Sequence, residues 1–283
     1  MQKCLQVQEI KNYQEDLRKN NKRIGYVPTM GALHEGHQEL IRASQAANDI
    51  TIVSIFVNRL QFNDPKDFEL YPRTETADFA LLEDMGVDAV FKPVEEEIYP
   101  TVPVVSFDLG AMANVMEGQF RPGHFQGVCV VLSKFFHLVN PHEVYFGLKD
   151  LQQYLIVKRM VEDLFFDMRV NGVPTKRETS GLALSSRNLR LSENGKLVAS
   201  NIYKGLELAK AEIFSKKDVQ EITTSLTEFY ERIDGCTIEY CKIINARTLI
   251  PVMDYGEIEE IAVCVAAYVE GIRLIDNLYL RLN

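Results

Sequence analysis

VPTMGALHEGH, residues 27–37, is the stretch from which the rest of the chain can be read. It follows a short apolar run, Ile24, Tyr26 and Val27, that suits a strand. It precedes His37 to Asn48, where Leu40, Ile41, Ser44 and Ala47 recur at the spacing of an amphipathic helix. Pro28 has no N–H and suits a strand end, and Gly31 permits a tight turn. The segment thus predicts strand, turn and helix, with His34 and His37 near the first helical turn. Residues three apart share a helix face. Unpaired N–H groups and the positive end of the dipole favour an anion there. Gly36, with no side chain, lets a flat ring such as adenine approach the backbone. A nucleotide held by its phosphates fits this arrangement. Two other readings stand beside it, a capped helix with two surface histidines and a zinc pair. The metalloprotease motif needs i, i+4 spacing, and no Cys-x-x-Cys or third histidine is near in sequence.

The chain has 283 residues, enough for one large domain or two modest ones. A hydrophobic share of 46% with 25% charged residues is ordinary for a soluble globular protein. No apolar run reaches membrane-spanning length, and MQKCLQVQEI lacks the pattern of a signal peptide. Cys4, Cys129, Cys236, Cys241 and Cys264 are scattered and odd in number, which predicts buried or free thiols in a reducing compartment. A net charge of −9 without a basic run argues against a nucleic-acid partner. A small anion can still be held by a local cluster of Lys, Arg and His. All five histidines lie between residues 34 and 142, which points to chemistry in the first half.

Residues 1–20 read as a short helix after an opening segment. ITIVSIFV, residues 50–57, is a continuous β-branched run of the kind covered on both faces in a parallel sheet. Thr74 to Met85 predicts a helix with Phe79, Leu81 and Leu82 inward, ended near Gly86. Strands are expected at Asp88 to Phe91, 104–107, Val144 to Phe146 and Met168 to Val173. Helices are expected at Phe125 to Val139 and Leu151 to Leu164. This alternation gives an α/β domain with a mostly parallel sheet, whose ligands bind at the carboxyl ends of strands. Around 174–180 the sequence turns polar, with a proline. The boundary is placed there, giving domains 1–175 and 176–283. In the second, helices at Ser192 to Phe214, with Ser192 as N-cap, and Val219 to Ile233 precede strands at Thr237–Asn245, Ile261–Val269 and Ile272–Leu280. That order predicts a small α+β domain with an antiparallel sheet, turned by Gly271.

Four further stretches carry polar residues at element ends. FVNRLQF, 56–62, offers Asn58 and Gln61, amides that both donate and accept; the plain alternative is an Asx turn. RPGHFQGV, 121–128, sets Arg121 and His124 either toward an anion or into a turn and helix start. FGLKDLQQ, 146–153, supplies Lys149 as a point charge for a phosphate. Its Asp150 could cap a helix or meet magnesium, and Gln152 and Gln153 lie in the first turn. VPTKRETSGLALSSRN, 173–188, offers Ser185, Ser186 and Arg187 to phosphate oxygens, or a surface turn. Arg73 in YPRT, 71–74, precedes a helix that Thr74 could cap.

HEGH after MGAL resembles the HIGH signature of the nucleotidyltransferase superfamily. The motifs together, in order from residue 27 to about residue 195, resemble the pantothenate synthetase family, the pantoate–β-alanine ligases. The resemblance implies an α/β, Rossmann-like parallel-sheet N-terminal domain that binds ATP and pantoate, with the smaller α+β C-terminal domain as a lid. It implies an ATP site formed by Met30, Gly31, Ala32, Leu33, His34, Glu35, Gly36 and His37, by Gly147, Leu148, Lys149 and Asp150, by the backbone at Lys176, and by Leu184, Ser185, Ser186 and Arg187. His34, His37 and Lys149 are the implied catalytic residues. Gln61 and Gln153 are implied to hold pantoate, with Gln61 also meeting β-alanine. The expected partners are these small molecules, with no nucleic acid and no membrane. ATP is the expected nucleotide, with Mg2+, in a cytoplasmic homodimer. Arg59, Leu148 and Lys176 depart from the family's usual Pro, Glu or Gln, and small apolar residue. Arg59 and Leu148 keep open a nucleotide-binding protein without catalysis. A plain nucleotidyltransferase fits the paired glutamines poorly, and an aminoacyl-tRNA synthetase fits the short, acidic chain poorly.

Overall fold

The structure is a computed structural model that describes residues 1–282, the side chain of Ser186 excepted. The described residues form two compact units. One comprises Met1–Gly147 and Ile156–Val173; the other comprises Leu148–Leu155 and the chain from Pro174 onward.

The first unit is built on six parallel strands: β1 (Gln2–Cys4), β2 (Ile24–Thr29), β3 (Ile50–Ile55), β4 (Ala89–Phe91), β5 (Glu143–Gly147) and β6 (Arg169–Val173). Their order is β1-β4-β3-β2-β5-β6. β2 and β3 pair along their whole lengths, Ile24 opposite Ile50 and Thr29 opposite Ile55. Ile24, Tyr26, Val27, Ile52 and Val53 are fully buried, as continuous apolar runs in a doubly covered sheet require. From β2 the chain crosses to β3 on one side, while β5 lies on the other. β2 therefore stands at the point where strand order reverses, outside whose carboxyl ends ligands bind in such sheets. The 27–37 stretch begins there.

The apolar helix His124–Val139 buries Phe125, Val128, Leu132, Phe135 and Phe136 and stops at Asn140, which is left-handed. Three sequence expectations change. The opening segment is itself a strand, β1, paired with β4. Residues 104–107 form no strand: Val104 is 95% exposed and Val105 74%, and apolar residues without a partner strand have nothing to pair with. In helix Glu75–Asp84, Leu82 is fully buried but Phe79 and Leu81 are half-buried, and Asp78 is buried beside Leu82.

The second unit pairs β7 (Cys236–Asn245), β8 (Glu260–Val269) and β9 (Ile272–Arg281) as an antiparallel sheet. Glu270 and Gly271, both at positive φ, make a two-residue turn of the kind that matches strand twist. Helix Glu193–Phe214 starts under its Ser192 cap, which accepts from the Gly195 N–H at 3.0 Å. Helix Val219–Glu231 follows, capped by Asp218. Leu206, Ile222, Leu226 and Tyr230 from the helices share a core with Val263 and Val265. This is the α+β arrangement expected from the element order. No helix among the described residues is long and apolar enough to cross a membrane.

Candidate active site

In the first unit the site begins where β2 ends. Thr29 Oγ1 donates to the Ser54 carbonyl at 2.7 Å and accepts from the Gly31 N–H at 3.2 Å. Ala32 takes φ +50°, a region that costs a residue with a Cβ about 1–3 kcal/mol and persists only where its surroundings impose it. Asp78 imposes it. Its Oδ2 accepts from the Ala32 N–H at 3.0 Å and its Oδ1 from the Leu33 N–H at 2.8 Å. Sequence reading placed no role on Asp78, because a carboxylate on a helix reads as solvated.

His34 then caps helix Glu35–Ala47. Its Nδ1 accepts from the Gly36 N–H at 3.1 Å, while the His34 N–H donates to His37 Nδ1 at 3.3 Å. The two imidazoles thus fill the reciprocal roles of a capping box. Their rings are 4.2 Å apart between centroids. With both Nδ1 atoms accepting, a neutral ring carries its proton on Nε2. A Cβ on Gly36 would lie 2.8 Å from the His34 ring, so the absent side chain accommodates the cap. The expectation that backbone N–H groups here hold an anion changes accordingly. Those of Gly31, Ala32, Leu33, His34, Gly36 and His37 are already donating. In the neutral rings the Nε2–H groups are donors at the positive end of the helix.

Gln61 is 8% exposed, at the end of the 3-10 turn Arg59–Gln61. Its Nε2 donates to Met30 Sδ at 3.1 Å and its Oε1 accepts from Asn58 Nδ2 at 3.1 Å. Asn58 is an anchor: its Oδ1 accepts from the Leu60 N–H at 3.3 Å and from Tyr99 Oη at 2.8 Å. Burial pushes the Tyr99 phenol well above its ordinary pKa, so it remains an O–H donor. His124 is buried and its Nδ1–H donates to the Gln61 carbonyl at 2.7 Å, joined by Arg121 at 3.4 Å. Asn58, Arg121 and His124 therefore hold Gln61 in place. Arg59 pairs on the surface with Glu95 at 3.2 Å and begins the turn, so the turn forms without proline.

In the second unit Lys149 sits in the 3-10 turn Leu148–Asp150, its Nζ 3.9 Å from Asp150 Oδ1. Segment 176–184 folds back on itself. The Leu184 N–H donates to the Lys176 carbonyl at 2.9 Å, and Arg177 bridges Ala183. Ser185 Oγ caps the next turn by accepting from the Arg187 N–H at 3.3 Å. A concavity of this unit is lined by Lys149, Ser185, Arg187, Asn188, Arg273 and Asp276, among others. It joins the sequence-singled Lys149, Ser185 and Arg187 and adds Arg273, held by Glu239 at 2.9 Å. Gln152 is buried and Gln153 half-buried in helix Leu151–Asp163, while Lys176 and Glu35 are exposed. The expected role of Ser186 rests on a side chain outside the described residues. All five cysteines are free. Burial pushes Cys129 up to about 12 and, aided by Glu9, Cys4 up to about 11; these are packing groups and not nucleophiles.

A Rossmann-like sheet carrying a doubly capped His-x-x-His at its switch point, with a cationic concavity in an α+β unit, defines a nucleotide-using enzyme. Residues 2–279 match the family model described as pantoate–β-alanine ligase. The pantothenate synthetase of Cytophaga hutchinsonii is 43% identical over 280 residues, 98% of each chain. That of Thermotoga petrophila is 41% identical, over 96% of each chain. The crystal structure of pantothenate synthetase from Thermus thermophilus matches with a TM-score of 0.90 at 38% identity, covering 98% of this chain and 99% of that one. The pantoate–β-alanine ligase of Francisella tularensis, complexed with β,γ-ATP and β-alanine, matches at 0.78 and 34% identity, covering 98% and 97%. The chain belongs to the pantoate–β-alanine ligase family.

Proposed function

We infer that this chain condenses (R)-pantoate with β-alanine at the expense of ATP, giving pantothenate, AMP and pyrophosphate. The observation that carries the inference is the match along residues 2–279, at 34–43% identity, to proteins of this activity. In the first step a pantoate carboxylate oxygen attacks the α-phosphorus. The bond to the bridging oxygen breaks, and pyrophosphate leaves with the electron pair. In the second, the β-alanine amine attacks the acyl carbon of pantoyl adenylate. The acyl C–O bond breaks, AMP leaves, and the amine gives up a proton. No side-chain nucleophile is required. Catalysis is alignment and charge stabilisation.

The Nε2–H groups of His34 and His37 serve as phosphate donors, with Met30 to His37 lining the nucleotide. Lys149, within Gly147 to Asp150, and Ser185, Ser186 and Arg187, within Leu184 to Arg187, meet the other phosphate oxygens. The Lys176 backbone meets adenine. Gln61 and Gln153 orient pantoate, and Gln61 also meets β-alanine. The segment from 176 onward acts as the lid of a two-domain enzyme, 1–175 and 176–283. Among the described residues no three His, Cys, Asp or Glu side chains group to hold a metal. Magnesium would enter with the ATP substrate, offsetting phosphate charge while keeping several of its waters, and Asp150 would be the nearby carboxylate. The working form is a cytoplasmic homodimer, and light scattering of the purified chain checks the oligomer. The test of the reaction is AMP release. Release that requires both pantoate and β-alanine is expected. Release without β-alanine, or none, would indicate a plain nucleotidyltransferase or a binding protein.

A further inference from the structure

Two adjacent polar residues on β9, Asp276 and Asn277, are buried, 5% and 7% exposed, in a segment where no sequence motif stands. Asn277 Nδ2 donates to the Leu148 carbonyl at 2.9 Å and to the Lys149 carbonyl at 2.8 Å. Both amide hydrogens are thereby used on the turn that presents Lys149. Asp276 takes Arg177 in a bidentate pair, 2.6 Å to Oδ2 and 2.9 Å to Oδ1, and its Oδ1 also accepts from the Asn277 N–H at 2.7 Å. Arg177 in turn donates to the Gly181 carbonyl at 3.2 Å and to the Asn277 carbonyl at 3.3 Å, and stacks over Tyr203 at 3.9 Å. It thus sets the fold-back that leads into Ser185 and Arg187. One dipeptide of β9 therefore fixes two segments, separated from it by 128 residues and 99 residues.

We propose that Asn277 is a positioning residue for ATP: it fixes the backbone of the Lys149 turn, while Asp276 registers the 177–187 segment against the same strand through Arg177. The proposal rests on the reading of Lys149 as an ATP ligand. Lysine is a point charge on a flexible four-carbon stem, so its aim depends on where its Cα is held. A three-residue 3-10 turn has little rigidity of its own. Two hydrogen bonds from a buried amide supply that rigidity, and water replaces them poorly at such a site. Neither Asp276 nor Asn277 need touch the substrate for this.

Asn277→Asp keeps the shape and turns two donated hydrogens into a carboxylate facing two carbonyl oxygens. Asn277→Ala removes the donors without adding charge and serves if the first variant fails to fold. For either, kcat/KM for ATP is expected to fall about tenfold to a hundredfold, with KM for β-alanine within about twofold of wild type. Lys149→Ala is measured beside them. Wild-type ATP parameters in a folded Asn277 variant, with Lys149→Ala impaired, would overturn the positioning role alone. Unimpaired Lys149→Ala would overturn the reading of the lysine and with it this proposal. ATP and β-alanine parameters falling together would mark a merely structural residue and also overturn it.

Discussion

The turn after β2 and the turn that carries Lys149 are built in different ways. The first is mostly local. His34 and His37 cap one another across three residues, and one distant side chain, Asp78, completes the backbone pattern. The second is held from far along the chain, by Asn277, with Arg177 and Asp276 securing its neighbour. A locally built turn remains legible and tolerant of changes elsewhere. A site held at long range depends on buried polar groups that cannot be replaced one at a time.

Mutations in each turn test that contrast. The largest stability effect is expected in the second unit. Arg177→Ala leaves the buried Asp276 carboxylate unpaired and should cost about 3–5 kcal/mol, read as a lower urea midpoint. Asp276→Asn together with Arg177→Met should recover much of that loss if the pair contributes mainly to specificity. In catalysis, His37→Ala and Lys149→Ala should each lower the adenylation rate by about 10²–10³-fold with the fold retained, measured by single-turnover quench. Near-normal rates in one of them would show that the two halves do not act on the same phosphates. Asp78→Asn places an amide N–H group against a backbone N–H donor and should cost about 1–3 kcal/mol. Its loss should appear more in ATP binding than in KM for β-alanine.

The smallest effect is a pH dependence at the amino end of the sheet. His142 Nδ1 accepts from the Ile24 N–H at 2.9 Å. Burial, aided by Arg18 and Arg23, lowers its pKa below the ordinary 6.5. Protonation therefore favours the unfolded chain. The stability it secures is complete above about pH 6.5 and is lost as pH falls through the lowered native value. Thermal melts from pH 7.5 downward should show a decline in wild type that is shallower in His142→Asn. An identical decline in both would assign it to other groups.

Much of the fold was legible because its patterns are local. ITIVSIFV announced a doubly covered strand, the Ser192 cap a helix start, and Gly271 a hairpin. The 104–107 run misled because composition suits a strand whether or not a partner is present. β1 was missed because three residues acquire strand character only by pairing with β4. In the candidate site the histidines, Gln61, Lys149 and the serine–arginine turn were visible from their places at element ends. Of the groups that hold them, Asn58, Arg121 and His124 stood in the same stretches without a settled role, and Asp78 and Asn277 did not stand out at all. Asp78 looks like any helix carboxylate, and His124 could equally have faced an anion. Asn277 has no local signal, because its partners are set by the tertiary fold alone.

Pantoate-dependent exchange of labelled pyrophosphate into ATP, without β-alanine, isolates the adenylation step in which both halves are assigned a part. Exchange that requires pantoate, and that fails alike in His37→Ala and Lys149→Ala, is the expected result. Exchange that needs β-alanine, or that proceeds at the wild-type rate in either variant, would contradict it.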